Sequence, residues 1–457
     1  MRRMWQASRG TTTAVQGGQA VAAPPGQPNP VPAVAVPGPI SALNSNPLSA
    51  ALRDIVSSIE APLDTVGVNY QTTAAYTQAL KNAALAYATE AVVTGTITVT
   101  LGASTTASYN GGGISLSPKF PFNLLDGVQF GINQIADVIN ASGWLMFQEN
   151  LHMLHGIDVR QMRKEWPAAG GRQTPAAQYT LPYYVSATVA GNPITLTPGG
   201  AAYYNKTTAT VNVVITFGFP LMLPFVNNFD EFLGIVPSAA QDVELNLQYK
   251  FRNPLGANAD SPIQALSGAD LTGTNAQLLA STGFTGSIAG TEFFLSSPPA
   301  GQEAAYAVQA GTICQRFEQR VTSLATGTSG AKYVAPQGAY LLRMIADLTL
   351  NYLQNTSDVD QIRIKMNEFA NPLSINLSGY LARYYRKYGR LPDPGIFVWD
   401  GSYSSIVPNW GDSMDWIDAS KTIKPTLEMD IASTATLGSN GAAYMNVLRT
   451  QLVTPGA

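Results

Sequence analysis

Few residues here could do chemistry, and their spacing limits what each could do. His152 and His155 are the only histidines, three residues apart, with Glu149 one turn ahead. On a helix such a trio could offer two imidazoles and a carboxylate to a metal ion. The glutamate does not stand in an H-E-x-x-H arrangement, and no distant third ligand is suggested. The pattern reads as core or interface histidines, and no metal is expected. Gly327-Thr-Ser-Gly-Ala-Lys332 looks faintly like a phosphate loop but lacks the Gly-Lys-Ser/Thr ending, so a surface turn is expected. No G-x-S-x-G elbow occurs. Asp126, Asp230 and Glu231 lie beside strand-to-turn segments, where they read as capping or interface groups. The single cysteine, Cys314, excludes an intrachain disulfide and a Cys-rich zinc site, and reads as a buried thiol. Neither an enzyme nor a cofactor is expected.

One basic–aromatic cluster remains, Arg383-Tyr-Tyr-Arg-Lys-Tyr-Gly-Arg390. Nucleic acid could be held by such residues through phosphate and stacking contacts. On a helix, Arg383, Arg386, Lys387 and Arg390 fall along one broad face that would equally meet carboxylates of an adjacent subunit, which is the preferred reading. Trp410 and Trp416, with Tyr403, sit in a long loop, where aromatic anchors often mark interfaces. Arg2, Arg3 and Arg9 open an N-terminal region that then runs uncharged from Gly10 to Leu52.

Composition narrows the class. Of 457 residues 45% are hydrophobic, ample for real cores, but only 12% are charged. About 25% is usual for a soluble protein, so this surface is either covered by neighbours or built from Ser, Thr, Asn and Gln. The 26 basic and 29 acidic residues nearly balance, so direct or sequence-specific nucleic-acid binding by the body of the chain is not expected. No apolar h-region follows the first arginines, and no apolar run is long enough for a bilayer span; a soluble chain is expected.

Three regions are expected: a Pro-rich arm over 1–46, extended or disordered, and two β domains over 47–298 and 299–457. Eight prolines between Pro24 and Pro47 prevent the arm from building a core. Helices are expected at Leu48–Ile59, at the Ala-rich Thr72–Ala91, and as an insertion over Ile132–Trp166. Strands are read from period-two alternation at Thr94–Leu101, Ile114–Leu116, Val128–Ile132, Gln178–Val189, Thr195–Leu196, Val211–Phe219 and Val243–Phe251. A short helix is expected near Asn228–Leu233 and a Gly/Ala/Ser/Thr-rich connection over 254–285, with strand resuming at Glu292–Leu295. The second half offers strands at Leu341–Leu350, Gln361–Met366, Leu427–Ile431 and Tyr444–Leu452, and a helix at Ser374–Tyr388 closed by Gly389. Many short strands and few helices argue for sandwiches or jelly rolls.

Two segments carry a family resemblance. Ser117-Pro-Lys-Phe-Pro-Phe-Asn-Leu-Leu125 leads into Val128-Gln-Phe130, and Phe219-Pro-Leu-Met-Leu-Pro224 runs through Phe232-Leu-Gly-Ile-Val-Pro237 to an alternating strand. In order and style the chain resembles, over roughly 90–457, the double jelly-roll major capsid proteins of the tectivirus-like, tailless, membrane-containing bacteriophages. It departs from them in its long Pro-rich arm and in the helical insertion. The resemblance implies a mainly β fold of two jelly-roll sandwiches side by side, in a structural subunit of an icosahedral virus shell. It further implies a homotrimer that packs against neighbouring trimers, vertex or penton proteins and an internal lipid membrane as further partners, synthesis in the host cytoplasm and residence in the virion. Two alternatives stay open: a phage coat protein built around a long spine helix, and a β-sandwich adhesin or carbohydrate-binding surface protein.

Overall fold

The computed structural model describes residues 58–70, 75–81, 85–103, 112–132, 135–153, 183–227, 234–236, 245–256, 261–266, 278–295, 313–351, 353–366, 370–401, 417–419, 424–438 and 442–453. All lie in one compact unit, Asn46–Ala457. Strands dominate. The chain runs through Ser58–Asn69 (β1), Ala75–Ala79 (β2), Leu85–Leu101 (β3), Gly113–Leu116 (β4), Leu125–Ile132 (β5) and Ile135–Ala141 (β6) into a helix, Gly143–Met153 (α1). Tyr184–Val189 (β7), Asn192–Ile194 (β8), Tyr203–Tyr204 (β9), Val211–Pro224 (β10) and Leu245–Phe251 (β11) follow. Leu255–Gly256 (β12), Ile263–Leu266 (β13) and Leu278–Leu295 (β14) complete the first half.

The second half begins with Ile313–Val321 (β15), Gly327–Val334 (β16), Tyr340–Leu350 (β17), Leu353–Gln354 (β18), Val359–Met366 (β19) and Ala370–Asn376 (β20). A second helix, Leu377–Tyr388 (α2), precedes Ile396–Asp400 (β21), Ile417–Asp418 (β22), Pro425–Ile431 (β23) and Tyr444–Val453 (β24).

These strands make two jelly rolls of the same plan. In the first, neighbours run β1-β14-β3-β10 in one sheet, extended by β7 and β8, and β6-β5-β11-β2 in the other. In the second they run β15-β24-β17-β21 and β16-β23-β19-β20. Each helix follows the fifth strand of its sandwich, α1 after β6 and α2 after β20. The sandwiches share a sheet, because β15 pairs parallel to β6 at Arg316↔Ile139 and Phe317↔Asn140. A small sheet, β12-β13-β4-β9, flanks the first sandwich.

Alternation explains the cores. Val213, Ile215, Phe217 and Phe219 of β10 meet Ile97, Val99 and Leu101 of β3 on one inner face, and Phe130, Leu247 and Tyr249 on the other. The second core gathers Met344, Ala346 and Leu348 of β17 with Ile362, Ile364, Leu427 and Met429.

Several expectations are corrected. The Ala-rich stretch 72–91 holds β2 and the start of β3 where a helix was expected. Helix propensity is a weak prior, and here β3 pairs along its length with both β10 and β14. Where a helical insertion was expected over Ile132–Trp166, the described residues hold strand β6 and then helix α1. The last part of the 254–285 stretch, expected as a connection, belongs instead to β14, a strand inside the sheet between β1 and β3. Its Gly286 faces Gly95, where the strands approach closely. Gly327–Lys332 is a bulged edge strand, β16, and not a turn. Short strand β8 ends just before Thr195–Leu196. The segments 48–57, 154–182 and 228–233 lie outside the described residues, as do His155, Asp230 and Glu231.

Gly286 tests the account of β14. It sits opposite Gly95, and a Cβ there would run into the Thr94 carbonyl oxygen and lie 2.8 Å from Gly95 Cα. Gly286→Ala is expected to cost about 1–3 kcal/mol in denaturant unfolding. Gly67→Ala, where a Cβ meets nothing within 4 Å, should stay within about 0.5 kcal/mol. Equal effects would refute the close-approach explanation.

Candidate functional site at the joint between the sandwiches

α1 is a helix buried on all sides. Only glycine fits its first position, since a Cβ on Gly143 would lie 2.5 Å from the Phe122 carbonyl oxygen. Phe147 stacks on Phe122 at 3.8 Å between ring centroids, fastening α1 to the first sandwich. Its polar residues, Gln148, Glu149 and His152, meet the second sandwich.

Glu149 is the centre. Its Oε1 lies 3.3 Å from Arg316 Nε on β15 and 3.0 Å from Arg343 Nη1 on β17, and accepts a hydrogen bond of 2.9 Å from Thr450 Oγ1 on β24. Burial alone would raise the Glu149 pKa, but Arg343 and Arg316 outweigh it and hold the carboxyl below the usual carboxylate range. Arg343 continues the chain of alternating charge, with Nε 3.3 Å from Asp400 Oδ1. Asp400 also takes Lys387 Nζ at 3.4 Å and the Tyr388 hydroxyl at 2.8 Å. Arg316, fully buried, donates from Nη1 to the Pro224 carbonyl and from Nη2 to the Val226 carbonyl, both at 2.8 Å. It thereby ties the end of β10 to β15.

Further contacts cross the joint beside this chain. Lys119 Nζ stands 2.6 Å from Asp347 Oδ2, both buried. Gln148 Nε2 donates to Asp393 at 2.7 Å, and the Ser142 amide to Glu318 at 2.6 Å. His152 is fully buried, with Nε2 2.8 Å from the Tyr384 hydroxyl and Nδ1 2.5 Å from the Gln148 carbonyl. Burial pushes its pKa down to about 4, so the imidazole is neutral. Ile345, Ile396 and Leu448 of the second sandwich join the apolar core of the first.

The basic–aromatic cluster divides. Arg383 and Arg386 are exposed on α2. Lys387 and Arg390, expected at a subunit contact, also have contacts within their own chain: Lys387 reaches Asp400, and Arg390, 4% exposed, lies 5.8 Å from the Tyr384 ring. Tyr380, Tyr384 and Tyr388 form the buried face of α2, and Lys387 and Arg390 lie beside it. Asp126 forms a 2.6 Å surface ion pair with Arg252. Trp410, Trp416, Arg2, Arg3 and Arg9 lie outside the described residues.

Arg316, Arg343, Asp347 and Asp400 were not singled out from sequence. In a chain so poor in charge, an ion inside an apolar run such as Leu341-Leu-Arg-Met-Ile345 is the signal that could have found them. The arrangement binds one sandwich to the other and offers no group poised for proton or group transfer. Among the described residues no three His, Cys, Asp or Glu side chains gather where a metal could sit.

Solved structures match most of the chain, two of them with TM-scores of 0.51. The crystal structure of the STIV MCP matches with a TM-score of 0.51 at 12% identity, over 87% of this chain and 97% of that one. The atomic structure of Sulfolobus Turreted Icosahedral Virus matches with a TM-score of 0.51 at 10% identity, over 87% and 91%. No family model and no curated protein matches the sequence. The fold is the double jelly roll of viral capsid proteins, as the family resemblance implied.

Two tests follow for the joint. Glu149→Gln leaves two buried guanidiniums facing a neutral amide, and is expected to cost about 3–5 kcal/mol in denaturant unfolding; a loss under about 1 kcal/mol would remove Glu149 as the centre. For His152, an unfolded imidazole titrates near 6.5, whereas the folded one waits until about pH 4. Between these values the unfolded chain binds a proton that the folded chain refuses. Stability therefore falls as pH drops through that window, by an order of 3 kcal/mol in all. Unfolding curves from pH 7 to 4.5 should be flatter for His152→Gln than for the natural chain; parallel curves would contradict this.

Proposed function

We propose that this chain is a major capsid protein, a structural subunit and not an enzyme, whose copies assemble as homotrimers into an icosahedral virus shell. The observation that carries the reading is the double jelly roll itself, shared over 87% of the chain with the coat of an icosahedral virus. Two physical features support it. Only 12% of the residues are charged, which suits a surface that neighbours cover. The sandwiches are locked rigidly to each other, as a wall element must be.

In this reading the jelly rolls divide at about residue 298, Arg383, Arg386, Trp410 and Trp416 lie at subunit contacts, and the Pro-rich arm with Arg2, Arg3 and Arg9 orders on a neighbour during assembly. Vertex proteins and an internal lipid membrane would be the further partners, and the virion the location.

Light scattering after size-exclusion chromatography tests the core of the proposal. The full chain should run near three times 48.4 kDa or as shells; a stable monomer would overturn it. Deleting residues 1–46, which lie almost wholly outside the compact unit Asn46–Ala457, should leave a folded trimer and sharply reduce particle formation. Normal particles by negative-stain microscopy would remove the role of the arm.

A further inference from the structure

The joint has a second polar end, on the same face of the second sandwich as the Glu149 site. Thr450, Leu448 and Asn446 lie two residues apart along β24 and so share one face of it. Thr450 stands opposite Arg316 and Arg343, and this row takes the Glu149 carboxylate directly. Leu448 stands opposite Ile345, and this row joins the apolar core of the first sandwich. Asn446 stands opposite Arg320 and Asp347. Here the sandwiches leave a cavity of about 30 Å³ between them.

Both sandwiches line it. The first contributes Lys119, Arg252 and the start of α1, Ser142 and Trp144; the second contributes Arg320, Asp347 and Asn446. Its charges are already answered. Lys119 stands 2.6 Å from Asp347, Arg252 stands 2.6 Å from Asp126, and the Arg320 guanidinium lies 3.6 Å from the centre of the Tyr444 ring. An anion in the cavity would face the Asp347 carboxylate, and a metal ion would face three cationic side chains. Neither sign of charge is favoured.

Two neutral groups are not answered. Trp144 Nε1 on α1 and Asn446 Oδ1 on β24 are sealed from solvent and find no hydrogen-bond partner among the described residues. One is a donor and the other an acceptor. They make no bond with each other, although both residues line the same cavity. Folded proteins rarely leave buried polar groups unpaired, because the cost of desolvation is then not recovered. Whatever answers this pair must accept a hydrogen bond from the indole and donate one to the amide oxygen. Water does both and carries no charge. A water needs at least about 10–15 Å³ of such space, so the cavity has room for one or two.

We propose that the cavity is a structural water site, in which one or two ordered waters bridge Trp144 Nε1 of the first sandwich to Asn446 Oδ1 of the second. The joint is then closed by ions at the Thr450 row, by apolar contact at the Leu448 row and by solvent at the Asn446 row. The site belongs to a single chain and does not rest on the self-assembly reading.

A structure of the full chain at a resolution that shows ordered solvent tests the site, with a second sample prepared in bromide. Solvent density within hydrogen-bond distance of both atoms, unchanged by bromide, is expected. A bromide peak in the cavity, or side chains collapsed into it, would overturn the proposal. Denaturant unfolding tests the bridge. Trp144→Phe and Asn446→Leu each remove one end, and each should lower the folded-to-unfolded ratio about tenfold. Because the two ends share a ligand, the losses should not multiply; a double variant that loses the full, roughly hundredfold product would show two independent groups and no bridge. Should Trp144→Phe fail to fold, the structure of Asn446→Leu decides. Loss of the solvent beside Trp144 Nε1 is expected there, and water held undisturbed would overturn the bridge.

Discussion

A carboxylate sealed from water in the middle of a large β protein must be answered by positive charge, and the answer here organises the molecule. Glu149 is fully buried on a helix of the first sandwich, and the charges that neutralise it, Arg316 and Arg343, belong to strands of the second. Removing an ion pair of this kind from water is costly enough that well-packed apolar residues could hold two surfaces together at least as firmly. What apolar residues lack is direction. Glu149 can be satisfied only where two guanidiniums and the Thr450 hydroxyl converge, and Arg316 has further donors that must find the Pro224 and Val226 carbonyls. Few relative placements of the sandwiches meet all these demands together. The joint therefore reads as a specification of geometry more than as a source of stability.

The same constraint explains which parts of the molecule were legible in the sequence. Strands with one apolar face announce themselves, as β10 and β11 do, and α2 shows its end in Gly389, which caps it at φ 68°. The Ala-rich stretch around β2 and the first half of β3 misled, because alanine favours helices locally while here it lets strands approach. β14 was hidden for a related reason: Gly286 and its small neighbours carry no alternation, and only the facing glycine on β3 explains them. The joint was half visible. Glu149, His152, Lys387 and Arg390 attracted notice by their local spacing, yet their partners lie as far along the chain as Thr450, 301 residues from Glu149. No local pattern encodes such a meeting. Spacing singled these residues out without naming the internal partners that the fold supplies.

Faces, and not strand edges, are the surfaces this chain leaves open for association. An unpaired edge is a template for indiscriminate pairing, and a chain this poor in charge would be exposed to it. Three of the outermost strands are unfit for the purpose. β1 carries Pro62, flanked by Glu60 and Asp64, with a register shift between Leu63 and Val66. At the other side of the same sheet β8 is three residues long and contains Pro193. β16 is broken between Gly327 and Ala331, with Gly327 and Ser329 at positive φ. Hydrogen-bonded extension of these sheets is blocked at each of these edges. At these edges the broad faces, where the shape and charge of side chains can discriminate, are better suited to specific contact than the strand backbone is.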